Sequence, residues 1–200
     1  MKRTFLFAIL AAAIAPLPAA AQLNPEGAPG PEQTANYKYE VYVGAAYSRV
    51  RQVPETYSGL IGGKMTVGRD WGRYFQLAGS ADYYSKGTGH AGLPNPGHPT
   101  IYTALAAPTV HATLYGNVSG EFFGELGAEH TGGENMSPNL SFAGGFGGGL
   151  TYSLNQKFAV QLTGDRVAAS FPLPGSNSQN GYSTHKTWNA RATIGVVYRF

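Results

Sequence analysis

The sequence predicts an all-β protein, an eight-stranded antiparallel transmembrane up-and-down β-barrel. Three observations carry this expectation: apolar side chains recur at every second position in eight segments, short and long connections alternate, and charge is scarce. Of 200 residues 12% are charged and 12% aromatic, with 28 glycines, 13 tyrosines and no cysteine. Soluble domains average about 25% charged residues and about 7% glycine, so this is not an ordinary solvated surface. A disordered chain is excluded as well, because it would be rich in charge and poor in aromatics. Without cysteine there is no disulfide framework, thiolate metal site or cysteine nucleophile.

The first element is an address label. Lys2 and Arg3 precede an apolar run from Phe5 to Ala15, followed by Pro16, Pro18 and the small residues Ala19 to Ala21. This is the charged, apolar and cleavable order of a secretory signal peptide, assigned to residues 1–21. The run is too short to be a membrane helix, since at 1.5 Å per residue it spans about half of a roughly 30 Å hydrocarbon core. Its removal takes two of the 14 Lys and Arg, leaving 12 against 11 Asp and Glu. The formal net charge of +3 therefore nearly vanishes, and no basic cluster remains that would suit nucleic acid. Residues 22–37, rich in proline and without periodicity, read as a periplasmic lead-in, and the barrel is expected over residues 38–200.

Side chains alternate across a strand, and the barrel region alternates repeatedly. Tyr39, Val41, Val43, Ala45 and Tyr47 oppose Glu40, Tyr42, Gly44, Ala46 and Ser48. Over 61–71, Ile61, Met65, Val67 and Trp71 oppose Lys64, Thr66 and Asp70; over 75–85, Phe75, Leu77, Ala81 and Tyr83 oppose Gln76, Ser80 and Asp82. Phe122, Leu126 and Ala128 stand against Glu121, Glu125 and Glu129, while Phe142, Phe146, Leu150 and Tyr152 stand against Ser141, Thr151 and several glycines. Phe158, Val160 and Leu162 oppose Gln161, Thr163 and Asp165. The last strand alternates most regularly, with Trp188, Ala190, Ala192, Ile194, Val196, Tyr198 and Phe200 opposite Asn189, Arg191, Thr193 and Arg199. In the fourth segment, 101–113, either face is apolar enough to face lipid, and Pro108 removes a ladder donor, which predicts a bulge or bend.

Short turns are expected near 70–74, 115–118 and 153–157, and long Gly-, Pro-, Asn- and Ser-rich loops near 49–59, 86–99, 131–140 and 168–186. Eight strands of about ten residues joined in this way, with aromatics at their ends, have the form of an outer-membrane barrel. An even strand count leaves both termini in the periplasm and the long loops outside the cell. A water-soluble lipocalin-type barrel is the alternative, with apolar side chains turned inward around a ligand. Its solvated outer wall would carry more than one or two charges per strand, which favours the membrane form.

The chain ends Ile194-Gly195-Val196-Val197-Tyr198-Arg199-Phe200, which resembles the C-terminal signal by which outer-membrane barrels are recognised for insertion; Tyr198 and Phe200 are its anchor residues. Val43 to Ser48, Ser141 to Ala143 with Gly147 to Leu150, and Val160 to Leu162 with Asp165 resemble strands of the OmpA-like and OmpX-like eight-stranded outer-membrane (porin-family) barrels. The similarity covers about 37–200. Ala46 stands where such strands commonly carry glycine, and no periplasmic peptidoglycan-binding domain follows, so attachment to the cell wall is not implied. The resemblance implies an exported, outer-membrane location. It also implies contact with outer-membrane lipids and lipopolysaccharide, transient engagement of the barrel-assembly machinery, and a monomer.

Little in the sequence points to catalysis. Gly144 to Gly149 is glycine-rich like a phosphate loop but lies inside a strand pattern. His90, His98 and His185 are loop residues without the convergence a metal needs. His111 is followed two places later by Thr113, not by the serine that outer-membrane lipid A deacylases pair with a wall histidine. No enzyme activity, cofactor or metal is expected. The informative set is the inward-facing one: Glu40, Lys64, Asp82, Glu125, Glu129, Asp165, Arg191 and Arg199. Buried charge must be paired, so Glu40, Glu125, Glu129 and Asp165 are expected to form a lumen network with Arg191, Arg199 and Lys64. Such a network suits a structural plug in a barrel that supports the envelope and displays loops for adhesion or recognition; the alternative is a narrow, gated pore for small solutes or ions.

Overall fold

The computed structural model describes residues 37–53, 56–90, 98–134, 138–172 and 184–200. The expected signal peptide, most of the expected lead-in and the central parts of the longer connections lie outside these residues. Eight strands follow in order: β1 Tyr39–Val53, β2 Thr56–Trp71, β3 Phe75–His90, β4 His98–Tyr115, β5 Val118–Glu134, β6 Asn139–Ser153, β7 Phe158–Pro172 and β8 Thr184–Arg199. Each pairs antiparallel with its chain neighbour, and β8 returns to β1, closing the barrel. The seam runs from Glu40 opposite Arg199 to Arg49 opposite Ala190. It is extended by Tyr39 and Phe200, which exchange backbone hydrogen bonds of 3.2 and 2.9 Å. Closure leaves no sheet edge, so each strand is paired with a neighbour on both sides.

The alternation reads directly as inside and outside. Tyr42, Ala46, Ser48 and Val50 of β1 are buried, whereas Val43 and Tyr47 are exposed; β8 buries Asn189, Arg191, Thr193 and Val197 and exposes Trp188, Ile194, Val196 and Tyr198. The barrel thus turns its large apolar side chains outward.

The turns at one end are tight. β2 and β3 join through Gly72 to Tyr74, and β4 and β5 through Gly116-Asn117 between the paired residues Tyr115 and Val118. Gly72 and Gly116 have φ of 82° and 51°, the left-handed conformations that short hairpin turns demand. At the β6–β7 turn, Asn155 Oδ1 accepts from the backbone N–H of Lys157 and Phe158 at 2.9 and 2.8 Å, a side chain acting as a turn carbonyl.

Two expectations need correction. The strands have 15 to 18 residues, not about ten, and much of the expected loops 49–59, 86–99, 131–140 and 168–186 is strand. At about 3.3 Å per residue and a tilt near 40° such strands reach roughly 40 Å, well past a band of about 25 Å. Ladder bonds continue beyond the stretch where outward positions are apolar, so the alternation no longer marks them. The second correction concerns β4. No bulge occurs at Pro108: Ala106 opposite Leu126 and Thr109 opposite Phe123 share one register, and Ala107 and Pro108 alone between them lack β5 partners. The register puts Gly124 opposite Pro108, so proline removes one rung without adding a residue. The facing of β4 is set by its neighbours: Thr103 turns inward beside Asp82, and Tyr102, Ala104, Ala106, Pro108 and Val110 turn outward.

Candidate functional site: the lumen network

Arg191 of β8 is the hub. Its ladder partner on β7 is Asp165, and Arg191 Nε donates to Asp165 Oδ1 at 2.5 Å. Nη1 crosses the lumen to Asp82 Oδ2 on β3 at 2.7 Å, and Nη2 reaches Glu125 Oε2 on β5 at 2.5 Å. Lys64 of β2 adds Glu125 Oε1 at 3.2 Å and Asp165 Oδ2 at 3.8 Å. The Thr103 hydroxyl on β4 donates to Asp82 Oδ2 at 2.7 Å. One guanidinium therefore gives three differently aimed N–H groups to three carboxylates on three strands, a use of its planar fork that lysine cannot copy. The Arg191 side chain is 2% exposed and the carboxylates 1% or less. Three carboxylates against two cations leave the set one negative charge in excess.

The expected network is thus drawn together only in part. Lys64, Asp82, Glu125, Asp165 and Arg191 form one cluster. Glu40 and Arg199 form a separate pair on the β1–β8 seam, Nε to Oε2 at 3.6 Å, and Arg199 also donates to Ser153 Oγ at 3.2 Å. Glu129 joins neither: it is buried, has no ion pair among the described residues, and its Oε1 lacks a hydrogen-bond partner. The reason is height. Glu129 lies four residues beyond Glu125, about 13 Å along the strand, and the hydroxyl of its ladder neighbour Thr103 is already committed to Asp82.

Other lumen contacts were not anticipated. Gln161 Nε2 donates to both oxygens of Glu121 at 2.7 and 2.8 Å, and Tyr42, Thr193 and Thr163 form a hydroxyl chain with spacings of 2.9 and 2.6 Å. Phe123 points inward, with Lys64 Nζ 5.7 Å from its ring centre. The doublet Phe122-Phe123 held that signal, because strand alternation must send one ring to each face. The glycine run of β6 makes room for these groups: a Cβ on Gly147 would meet Asp165 Cβ at 2.5 Å and the Phe123 ring at 2.7 Å. His111 lies on the lumen face opposite Glu121, not on the outer wall. Of the side chains of His90, His98 and His185 nothing is described.

Above the cluster, towards the long connections, Ala46, Val50, Leu60, Tyr84 and Ile101 form a buried apolar layer. Below it, a cavity of about 40 Å³ lined by Glu40, Lys64, Gln76, Glu121 and Gln161 has room for roughly two or three waters. Chemically the arrangement is a charged plate beneath an apolar lid. At the opposite face of the wall, Tyr198 and Phe200 stack with ring centres 5.9 Å apart, flanked by Tyr39 at 5.9 Å from Phe200 and Phe158 at 5.1 Å from Tyr198.

No protein-family profile and no curated protein matches the chain in sequence. Solved structures do resemble it. Neisserial surface protein A has a TM-score of 0.63 at 12% identity, with 81% of this chain and 97% of that one covered. Ail, the attachment invasion locus protein of Yersinia pestis, has 0.53 at 18%, covering 83% and 100%. The N-terminal β-barrel domain of Pseudomonas aeruginosa OprF has 0.50 at 15%, covering 80% and 97%. At these identities the likeness is one of architecture: the chain has the fold of the eight-stranded outer-membrane barrels.

Proposed function

We propose that this protein is an integral outer-membrane barrel, monomeric and non-enzymatic, that supports the envelope and presents its long connections for adhesion or recognition. One observation carries the membrane reading: the outer wall is largely apolar, while the strand carboxylates whose facing is described, Glu40, Asp70, Asp82, Glu121, Glu125, Glu129 and Asp165, turn inward. Val43, Phe122 and Leu126 are 59, 63 and 58% exposed, and a soluble barrel would turn such residues to its core at about 25 cal/mol per Å² buried. The belt is bounded by Tyr39, Trp71, Tyr152 and Tyr198 below and by Tyr47, Tyr83, Tyr102 and Trp188 above, all exposed. The eight residues from Tyr39 to Tyr47 correspond to about 20 Å of height at a tilt near 40°, and the ten from Trp188 to Tyr198 to about 25 Å, the thickness of an outer-membrane belt.

The termini and tight turns would then face the periplasm, with lipid and lipopolysaccharide around the wall and the terminal Tyr198–Phe200 pair read by the assembly machinery. A charged plate under an apolar lid favours a plug over an open pore. Membrane extraction followed by gel migration with and without heating tests the proposal: the folded barrel should run at a different position until boiled. Recovery of unheated protein in the soluble periplasmic fraction would overturn it. Bilayer conductance near background is expected of the plug, and a steady wide-pore conductance of the unmodified protein would replace that part of the reading with transport.

A further inference from the structure

The strand carboxylates whose facing is described lie on the lumen face, but the cations do not all do so. Arg49 of β1 and Arg166 of β7 flank Ala190 of β8 on adjacent strands, about 10 Å apart at two strand spacings. With Arg51, Lys186, Tyr57 and Trp188 they line an open pocket of about 460 Å³. Its floor is the small side chain of Ala190. The Arg49 guanidinium lies over the Tyr57 ring at 4.3 Å, which holds it in place without neutralising it. None of the four cations makes an ion pair among the described residues. The pocket sits on the outward face at the long-connection end, and Arg49 follows the girdle residue Tyr47 by two positions, about 5 Å higher. Cations on the outer wall with no acid paired to them among the described residues are suited to an anion supplied from outside.

We propose that this pocket binds the phosphate-bearing headgroup of an outer-leaflet lipid, with Arg49 and Arg166 gripping the phosphate, Arg51 and Lys186 above, and Trp188 against the upper part of the acyl chains. Guanidinium forks match phosphate oxygens bidentately. A lipid fits better than a dissolved anion because the pocket opens sideways, directly above the apolar belt and between aromatic girdle residues. This inference rests on the outer-membrane reading.

Trp188 reports on the pocket and Trp71 lies at the other end, so a Trp71→Phe background isolates its fluorescence, the chain having two tryptophans. Refolded protein in zwitterionic micelles is titrated with bisphosphorylated lipid A, with dephosphorylated lipid A and with inorganic phosphate. A saturable Trp188 response to the bisphosphorylated lipid alone is expected. Binding should weaken roughly tenfold or more in Arg49→Gln/Arg166→Gln, as expected for loss of charge-assisted hydrogen bonds, and stay unchanged in Arg73→Gln, which removes a cation at the opposite end. An equal response to dephosphorylated lipid, an equal response to inorganic phosphate, or an unaltered response of the double variant would each overturn the proposal. Should the double variant not fold, the lipid arms on the parent protein decide alone. Heat-modifiable migration is scored in parallel: a barrel that migrates as folded yet ignores lipid A loses this site only, whereas a protein lacking the folded band loses the outer-membrane reading itself.

Discussion

Replacing Arg191 by Met tests whether the lumen cluster holds the barrel together. The substitution removes three hydrogen bonds at 2.5 to 2.7 Å to Asp165, Glu125 and Asp82 and leaves those carboxylates facing one another with only Lys64 among them. Removing one partner of a buried ion pair costs about 3–5 kcal/mol, most of it the burden of the stranded charge. Three acids share this cation, while Lys64 and a few waters drawn from the cavity below relieve part of the burden, so a loss of about 4 kcal/mol is expected. Urea unfolding from lipid vesicles, followed by the heat-modifiable band, measures it. A companion variant checks the cause. Arg191→Met/Asp82→Asn/Glu125→Gln leaves one acid, Asp165, beside Lys64 and should recover more than half the loss, because removing both partners is far cheaper than removing one. Conductance should stay low in the single variant, since the apolar layer of Val50, Leu60, Tyr84 and Ile101 remains. A single variant within about 0.5 kcal/mol of the parent, below even a typical hydrogen-bond contribution, would refute the reasoning. A large rise in conductance at unchanged stability would instead make the cluster a gate.

Glu129→Gln should leave the unfolding free energy from urea titration unchanged or raise it by about 1 kcal/mol, because it removes a buried charge that has no ion-pair partner among the described residues, whereas Glu125→Gln should lower it. Gly147→Val should cost about 1–3 kcal/mol by overpacking, as its side chain would collide with Asp165, Phe123 and the Gly164 carbonyl; a neutral result in the same unfolding assay would contradict the close approach of β6 to the cluster. Phe200→Ala removes two ring stacks at the closing seam, each contributing about 0.5–1.5 kcal/mol, and should slow insertion into vesicles, read as the rate at which the heat-modifiable band appears.

Most of the architecture was legible because strand side chains have a period of two, so each segment declares its two faces regardless of how the strands are arranged. Period two is silent about height. It put Glu125 and Glu129 on the same face but could not separate the residue that hydrogen-bonds Arg191 from the one that has no ion pair among the described residues, since that depends on the register between β5 and β8 across the lumen. It is also silent where both faces are apolar: β4 was settled by the Thr103 to Asp82 hydrogen bond, a contact between strands. The missing donor of Pro108 suggested a bulge, but the unbroken register shows that the barrel accepts an unpaired rung opposite Gly124. Strand ends were read too early because their outward positions carry polar residues such as Arg49, Arg51, Arg166 and Lys186, so the apolar alternation fades while the ladder bonds persist.

The distribution of charge links fold and function. In a closed barrel with a lipid-facing wall, a strand carboxylate is inexpensive only inside, where the lumen supplies cations and hydroxyls. Asp82, Glu121, Glu125, Glu129 and Asp165 all sit there. The cations divide differently. Lys64 and Arg191 pair inward, whereas Arg49, Arg51, Arg166 and Lys186 remain outward at the long-connection end, the level that the proposed membrane placement gives to headgroup phosphates. If those outward cations served only general solubility, acids would be interspersed with them, as they are on solvated surfaces. Among the residues of β1, β7 and β8 whose facing is described, the upper outer wall has cations and no acids, as an anionic leaflet would favour. The same rule that fills the lumen with acids therefore places the unpaired cations where a lipid can complete them.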